Sequence, residues 1–177
     1  MIHKLSHGEI LKSKPPVSKV RSSVKMPFVA VLDNIRSLYN VGAVFRTCDG
    51  ILAEKIYLCG ITGKPPRKEI AKAALGAIDV VEWEYLPSTR ETLLKLKENG
   101  VKIYALELCR ESVDYKAAKY DFPMALIVGN EVSGVSDNVM DLVDGAISIT
   151  MKGRANSLNV STAFGIAVYE IASRWKG

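Results

Sequence analysis

Short β-branched apolar runs alternate along this chain with longer stretches of helical spacing, and that alternation predicts its architecture. Residues 28–32, Phe-Val-Ala-Val-Leu, read as a buried strand, too short and too β-branched for a helix. Asp33-Asn34 ends the run, and Asn40 could cap a helix passing through Val41, Val44 and Phe45 to about Asp49. A second strand follows at 55–59, then a loop opened by Pro65-Pro66 and a helix over about 67–75. Residues 80–85 form a third strand, and 88–99 a helix stopped by Gly100. Strands at 101–108 and 124–128, a short helix near 137–143 and a strand at 146–150 come next. A final helix is expected over about 156–175, with Asn156 or Ser157 as its cap. The alternation predicts an α/β fold with a mostly parallel sheet flanked by helices.

Composition narrows the class. A chain of 177 residues suits one domain with a proper core. No apolar run approaches the ~18 residues that a bilayer span needs, so no membrane association is expected. The N-terminus lacks the continuous apolar core and small-residue cleavage site of a secretory signal. Cys48, Cys59 and Cys109 are odd in number and widely spaced, which predicts reduced thiols and a cytoplasmic location. No CxxC pair or Cys/His cluster supports a metal site, so none is expected.

Charge is divided unevenly. Residues 1–26 carry six Lys/Arg and one acid, and the remaining residues carry 18 of each sign, so the net charge of +5 sits in the leader. This basic segment is expected to be a flexible arm ahead of a single domain at 27–177. Such arms attract phosphate backbones, although a solubilising tail would have the same composition. His3 and His7 lie in the arm and are read as solvated.

Three polar segments fall where predicted strands end, which is where open parallel sheets bind ligands. The first runs over 34–46 and contains Asn40 and Arg46. An arginine beside Val44 and Phe45 is either a snorkelling surface residue or a phosphate or ribose contact. The second, over 126–136, is a buried strand followed by Gly129-Asn130-Glu131-Val132-Ser133-Gly134. Its glycines permit close backbone approach to a ligand, and Glu131 could accept hydrogen bonds from a ligand or cap a neighbouring helix. It does not fit GxGxxG and lacks a P-loop lysine. The third, over 149–163, feeds Lys-Gly-Arg-Ala-Asn-Ser into the last helix. Capping uses one polar residue, whereas Asn156, Ser157 and Asn159 are all present.

Together the segments resemble the three signature motifs of the SpoU family of RNA ribose 2′-O-methyltransferases, within the SPOUT class. The matching residues are Asn34, Asn40, Gly42 and Arg46; then Gly129-Asn130-Glu131 and Gly134; then Ser157-Leu158-Asn159-Val160-Ser161. The similarity covers about 28–175, in the expected order, and Lys72-Ala73-Ala74-Leu75-Gly76 resembles a basic element of the family. The resemblance implies a C-terminal trefoil knot, which general topology rules count against and periodicity cannot reveal. It also implies S-adenosylmethionine as the methyl donor, held by Leu106, Gly129, Ile149 and Leu158, and a homodimer in which Arg46 approaches the partner's donor site.

The implied substrate is RNA, transfer RNA ahead of ribosomal RNA. Arg46, Asn40, Glu131, Ser157 and Asn159 form the implied catalytic group; Arg67, Lys68, Lys72, Lys152 and Arg154 supply RNA affinity. A ribose 2′-hydroxyl must be aligned with the methyl group and relieved of its proton. Arg46 serves either as a perturbed base or as a cation stabilising developing alkoxide; the second is favoured because guanidinium stays protonated. Thr150, where many relatives have Pro, and Asn156, where they often have a charge, depart from the pattern. A non-catalytic RNA-binding protein on the same fold is the alternative. A nicotinamide-dependent oxidoreductase lacks its Gly-rich first turn here.

Overall fold

The computed structural model describes residues 2–177. The leader holds two short helices without buried residues, α1 (His7–Ser13) and α2 (Val17–Ser22). A capping box between Ser6 and Glu9 starts α1, and Arg21 Nε donates to the Asp79 carbonyl at 2.8 Å. The α/β unit then runs β1 (Met26–Asp33), α3 (Leu38–Gly50), β2 (Ala53–Cys59), α4 (Lys68–Ala74), β3 (Glu82–Leu86) and α5 (Thr89–Glu98). It continues with β4 (Lys102–Leu106), β5 (Val113–Asp114), β6 (Met124–Val128), α6 (Asp137–Met140), β7 (Gly145–Ser148) and α7 (Val160–Arg174).

Among the described residues, seven strands form one sheet in the order β3-β2-β1-β6-β4-β7-β5, and every strand pairing is parallel. Alternation in β1 explains why both faces are covered. Phe28, Ala30 and Leu32 join the core beneath α3, α4 and α7, whereas Val29 and Val31 join the one beneath α5 and α6. β6, with all five residues buried, divides the same way. The parallel arrangement brings the carboxyl ends of β1, β6, β4 and β7 to one edge.

Two expected caps are corrected. Ser37, not Asn40, caps α3, its side chain accepting from the Asn40 N–H. Asn40 is thereby placed in the first turn, 8% exposed. Asn159, rather than Asn156 or Ser157, caps α7, accepting from Ser161 and Thr162 N–H groups. The two-residue β5 was not foreseen; its period is too short to register. Cys48 and Cys59 are buried, Cys109 is half-buried, and all three are free. Burial pushes the Cys59 thiol up to about 11 and raises that of Cys48 further. Among the described residues, no helix is long and apolar enough to cross a membrane.

Gly42 belongs to the packing of α3 on α4. A Cβ there would lie 2.5 Å from the Ile70 carbonyl oxygen and 2.6 Å from Ala73 Cβ. Backbone cannot yield as a flexible side chain can, so Gly42→Ala should destabilise the domain by about 1–3 kcal/mol despite alanine's better helix propensity. Chemical denaturation checks this: the midpoint should fall with the m-value unchanged, and an unaltered midpoint would refute the close contact.

Candidate active site

The site begins with an acid buried at a strand exit. Asp33 closes β1 fully buried, and its carboxylate accepts from Thr89 Oγ1 at 2.6 Å, Asn34 Nδ2 at 2.9 Å and the Ser136 N–H at 2.8 Å. These bonds tie the exit of β1 to the starts of α5 and α6. Asn34 follows in left-handed conformation, φ 59°, which suits asparagine better than most residues. Its Oδ1 accepts from the Ile61 N–H at 3.1 Å, and its carbonyl accepts from Asn130 Nδ2 at 2.9 Å. The loops after β1, β2 and β6 are thus fastened through one residue.

Glu131 stands where α3 begins. One carboxylate oxygen accepts from the Arg36 N–H at 3.0 Å; the other accepts from the Ser37 N–H at 3.0 Å and Asn40 Nδ2 at 2.9 Å. Free N–H groups at a helix start favour an anion. Burial works to raise the Glu131 pKa, but these donors outweigh it and hold the carboxyl below its ordinary value.

The relay continues to the third segment. With its Nδ2 committed to Glu131, Asn40 turns its Oδ1 toward Asn159 Nδ2, which donates at 3.1 Å. Asn159 Oδ1 then faces the Ser161 and Thr162 N–H groups at 3.0 and 3.3 Å. Ser161 Oγ lies 2.7 Å from Asn159 Oδ1 and 3.3 Å from Asn40 Oδ1, so its one proton serves either amide oxygen. Each amide is oriented by the group before it. A carboxylate, two amides and the starts of two helices form one polarised chain.

Beside this chain lies a cleft of about 430 Å³ over the exits of β6, β4 and β7. Leu106, Gly129, Ile149 and Leu158 all line it, as do Glu131, Ser157 and Asn159. Ser157 is exposed and uses its side chain in no hydrogen bond among the described residues. Gly129 serves the loop itself, because a Cβ would meet the Gly134 carbonyl carbon at 2.1 Å and the Val135 nitrogen at the same distance. The close approach expected at that glycine is therefore the chain's own. Glu107, at the end of β4, accepts from the Leu108 N–H at 2.9 Å and the Val135 N–H at 2.8 Å, pinning the same turn.

Arg46 stands apart. It is exposed on α3 beyond Asn40, lines no part of the cleft and makes no ion pair among the described residues. Lys152 and Arg154 project from the exposed loop between β7 and α7, Lys68 and Lys72 lie on α4, and Arg67 lines a second cleft at the exit of β2. Thr150 donates to Asp114 Oδ2 at 3.0 Å, so the residue replacing proline tethers the loop to β5. Asp33 did not stand out in the sequence as a site residue, Glu107 only as the neighbour of Leu106, and Asn130 only within its motif. A lone acid ending a strand is a weak signal, and Ser161 was visible only within its motif.

A family model described as the SpoU rRNA Methylase family matches residues 27–169. A protein of Aquifex aeolicus named tRNA (guanosine(18)-2′-O)-methyltransferase is 35% identical over 142 residues, which cover 80% of this chain and 67% of that protein. The crystal structure described as A. aeolicus TrmH/SpoU tRNA modifying enzyme superposes with a TM-score of 0.81 at 32% identity, covering 89% of this chain and 80% of that one. An AdoMet-bound rRNA methyltransferase from Sinorhizobium meliloti superposes with a TM-score of 0.77 at 28% identity, covering 90% of this chain and 60% of that one.

The depressed Glu131 pKa fixes the sign of a pH effect. Its contribution to stability should be complete above the unfolded value, near 4.5, and decline as pH falls through the lower folded value. Glu131→Gln turns an amide toward N–H donors and should expose residues 35–40 and 157–161 to faster hydrogen exchange at neutral pH. The difference from wild type should shrink below pH 4.5; a difference that grew on acidification would contradict the assignment.

Proposed function

The chain belongs to the SpoU rRNA methylase family, and we propose that it transfers a methyl group from S-adenosylmethionine to a ribose 2′-hydroxyl of RNA, transfer RNA in particular. The observation that carries this reading is the Glu131–Asn40–Asn159 chain, which joins all three motif segments at the mouth of one cleft. The tRNA methyltransferase of A. aeolicus, at 35% identity, favours tRNA over rRNA.

The residues suit the donor. The cleft volume falls in the ~300–1,000 Å³ range usual for such molecules. Leu106, Ile149 and Leu158 offer apolar walls, and the turn at Gly129 offers backbone groups. When bound there, S-adenosylmethionine supplies an electrophilic methyl group on sulfonium. Glu131, Asn40 and Asn159 keep the walls in register, and the Ser157 hydroxyl is free to meet the incoming ribose.

Arg46 is assigned to the cleft of a second copy. It shares the outward face of α3 and α7 with Tyr39, Ile166 and Tyr169, which are 55%, 38% and 57% exposed. Large apolar side chains on one face suit an interface between copies. At that interface the guanidinium stabilises the alkoxide developing on the ribose oxygen. Arg67, Lys68, Lys72, Lys152, Arg154 and the basic leader attract the RNA backbone. The return of the chain from β7, beside β4, to α7 on the α3 side of the sheet is read as the knotted path. The setting is cytoplasmic, where reduced buried thiols persist.

Tritiated donor with tRNA and rRNA transcripts tests the reaction, and alkaline-resistant linkages locate the methyl group. Absence of transfer to either RNA would sink the reading. Arg46→Ala should abolish transfer while donor binding survives. Mixing it with Leu158→Arg, which blocks the donor cleft, should restore part of the activity, since one mixed site keeps an intact cleft and a partner's Arg46. Mixtures as inert as their components would refute action across the interface.

A further inference from the structure

We propose that the second cleft, at the carboxyl ends of β2 and β3, is a nucleic-acid subsite that seats a phosphodiester flanking the reacting ribose between Lys64 and Arg67. The proposal rests on the substrate being RNA and adds where its backbone is gripped. The cleft is bounded by the turn at Gly60–Thr62, the segment from Lys64 to Arg67, and Tyr85.

One of its cations is pre-positioned. Lys64 Nζ stands 3.9 Å from the Tyr85 ring centroid, and the ring is fixed by its hydroxyl donating to the Gly60 carbonyl at 3.0 Å. An ammonium held over an aromatic face loses little further freedom on binding, and its remaining protons stay available to an anion. No carboxylate lies within 4.0 Å of Lys64 or Arg67 among the described residues, in contrast to Lys55, which Glu84 pairs at 2.7 Å. The floor is rigid as well: Thr62, 3% exposed, accepts from the Ile35 N–H and donates to the Leu32 carbonyl.

Neighbouring features select a polynucleotide over a free anion. Ile61 is 68% exposed at the lip, an apolar surface against which a base can lie. Strands in a sheet are about 4.8 Å apart, so the β2 exit lies roughly 10–15 Å from those of β6 and β4, which floor the donor cleft. A nucleotide beside the reacting one can reach across that distance. Asn34, bonded to both Ile61 and Asn130, fixes the two clefts relative to each other.

The test is fluorescence anisotropy of the full chain with an unmodified tRNA transcript over a salt series. Lys64→Gln should weaken binding about five- to tenfold and lower the salt slope by about 1. Lys64→Arg should retain most of the affinity. Tyr85→Leu removes no charge yet should weaken binding severalfold by releasing Lys64. Donor binding by calorimetry and the melting temperature of Lys64→Gln should match wild type. Inorganic phosphate should compete only weakly; competition at concentrations near the RNA phosphate would overturn the polynucleotide assignment. Wild-type affinity and slope in Lys64→Gln/Arg67→Gln would overturn the subsite while leaving the RNA reading intact. A wild-type chain that bound no RNA would remove both.

Discussion

The carboxylate of Glu131 is the interaction on which the rest of the site depends. It receives three N–H donors, two of them backbone groups just ahead of α3, and thereby stands in for solvent at a helix start. The third donor is the Asn40 amide, and its orientation dictates that of Asn159 and hence the cap of α7. Replacing the carboxylate by a neutral group would reverse no single bond in isolation. It would remove the anion toward which every donor in the chain is aimed, and strengthening through such chains is lost together.

That dependence accounts for the crowding of short, close-packed residues around the cleft. The Gly129–Gly134 turn must fold tightly enough for Asn130 and Gly134 to exchange backbone hydrogen bonds, both at 2.9 Å, or Glu131 would not reach α3. Gly134 adopts φ 71°, and a Cβ there would meet the Glu107 carboxylate at 2.3 Å. Two acids therefore bracket one turn, Glu107 gripping it from β4 while Glu131 extends from it. The cleft takes its shape from this turn, so its geometry is inherited from packing within the chain.

Strand positions were legible because buried parallel strands leave short apolar runs: residues 124–128 coincide with β6, and the others shift by a few residues. Caps were less legible. Ser37 and Asn40 are both good cap residues three positions apart, and local propensity cannot choose between them. The choice is made by Glu131, ninety-one residues away, which draws Asn40 into the helix. Likewise three polar residues precede α7, and only contact with Asn40 singles out Asn159. The motif residues were visible as a set through family resemblance, whereas Asp33 and Glu107 act through backbone N–H groups that no side-chain pattern reports.

Charge gives the sharpest contrast between sequence and structure. Beyond the leader the chain is neutral, which on its face argues against a polyanion partner for the domain. Neutrality conceals how the charges are paired. Acids pair with Lys55, Arg90, Lys97, Lys102 and Arg174, on strands and helices. Lys64, Arg67, Lys152 and Arg154, in the loops at the strand exits, have no such partner among the described residues. Further negative charge is withdrawn into hydrogen bonds at Asp33, Glu107 and Glu131, where it is spent on backbone N–H groups. A neutral domain can thus present a cationic rim around its clefts, and its field there is set by which charges remain unpaired, not by their sum.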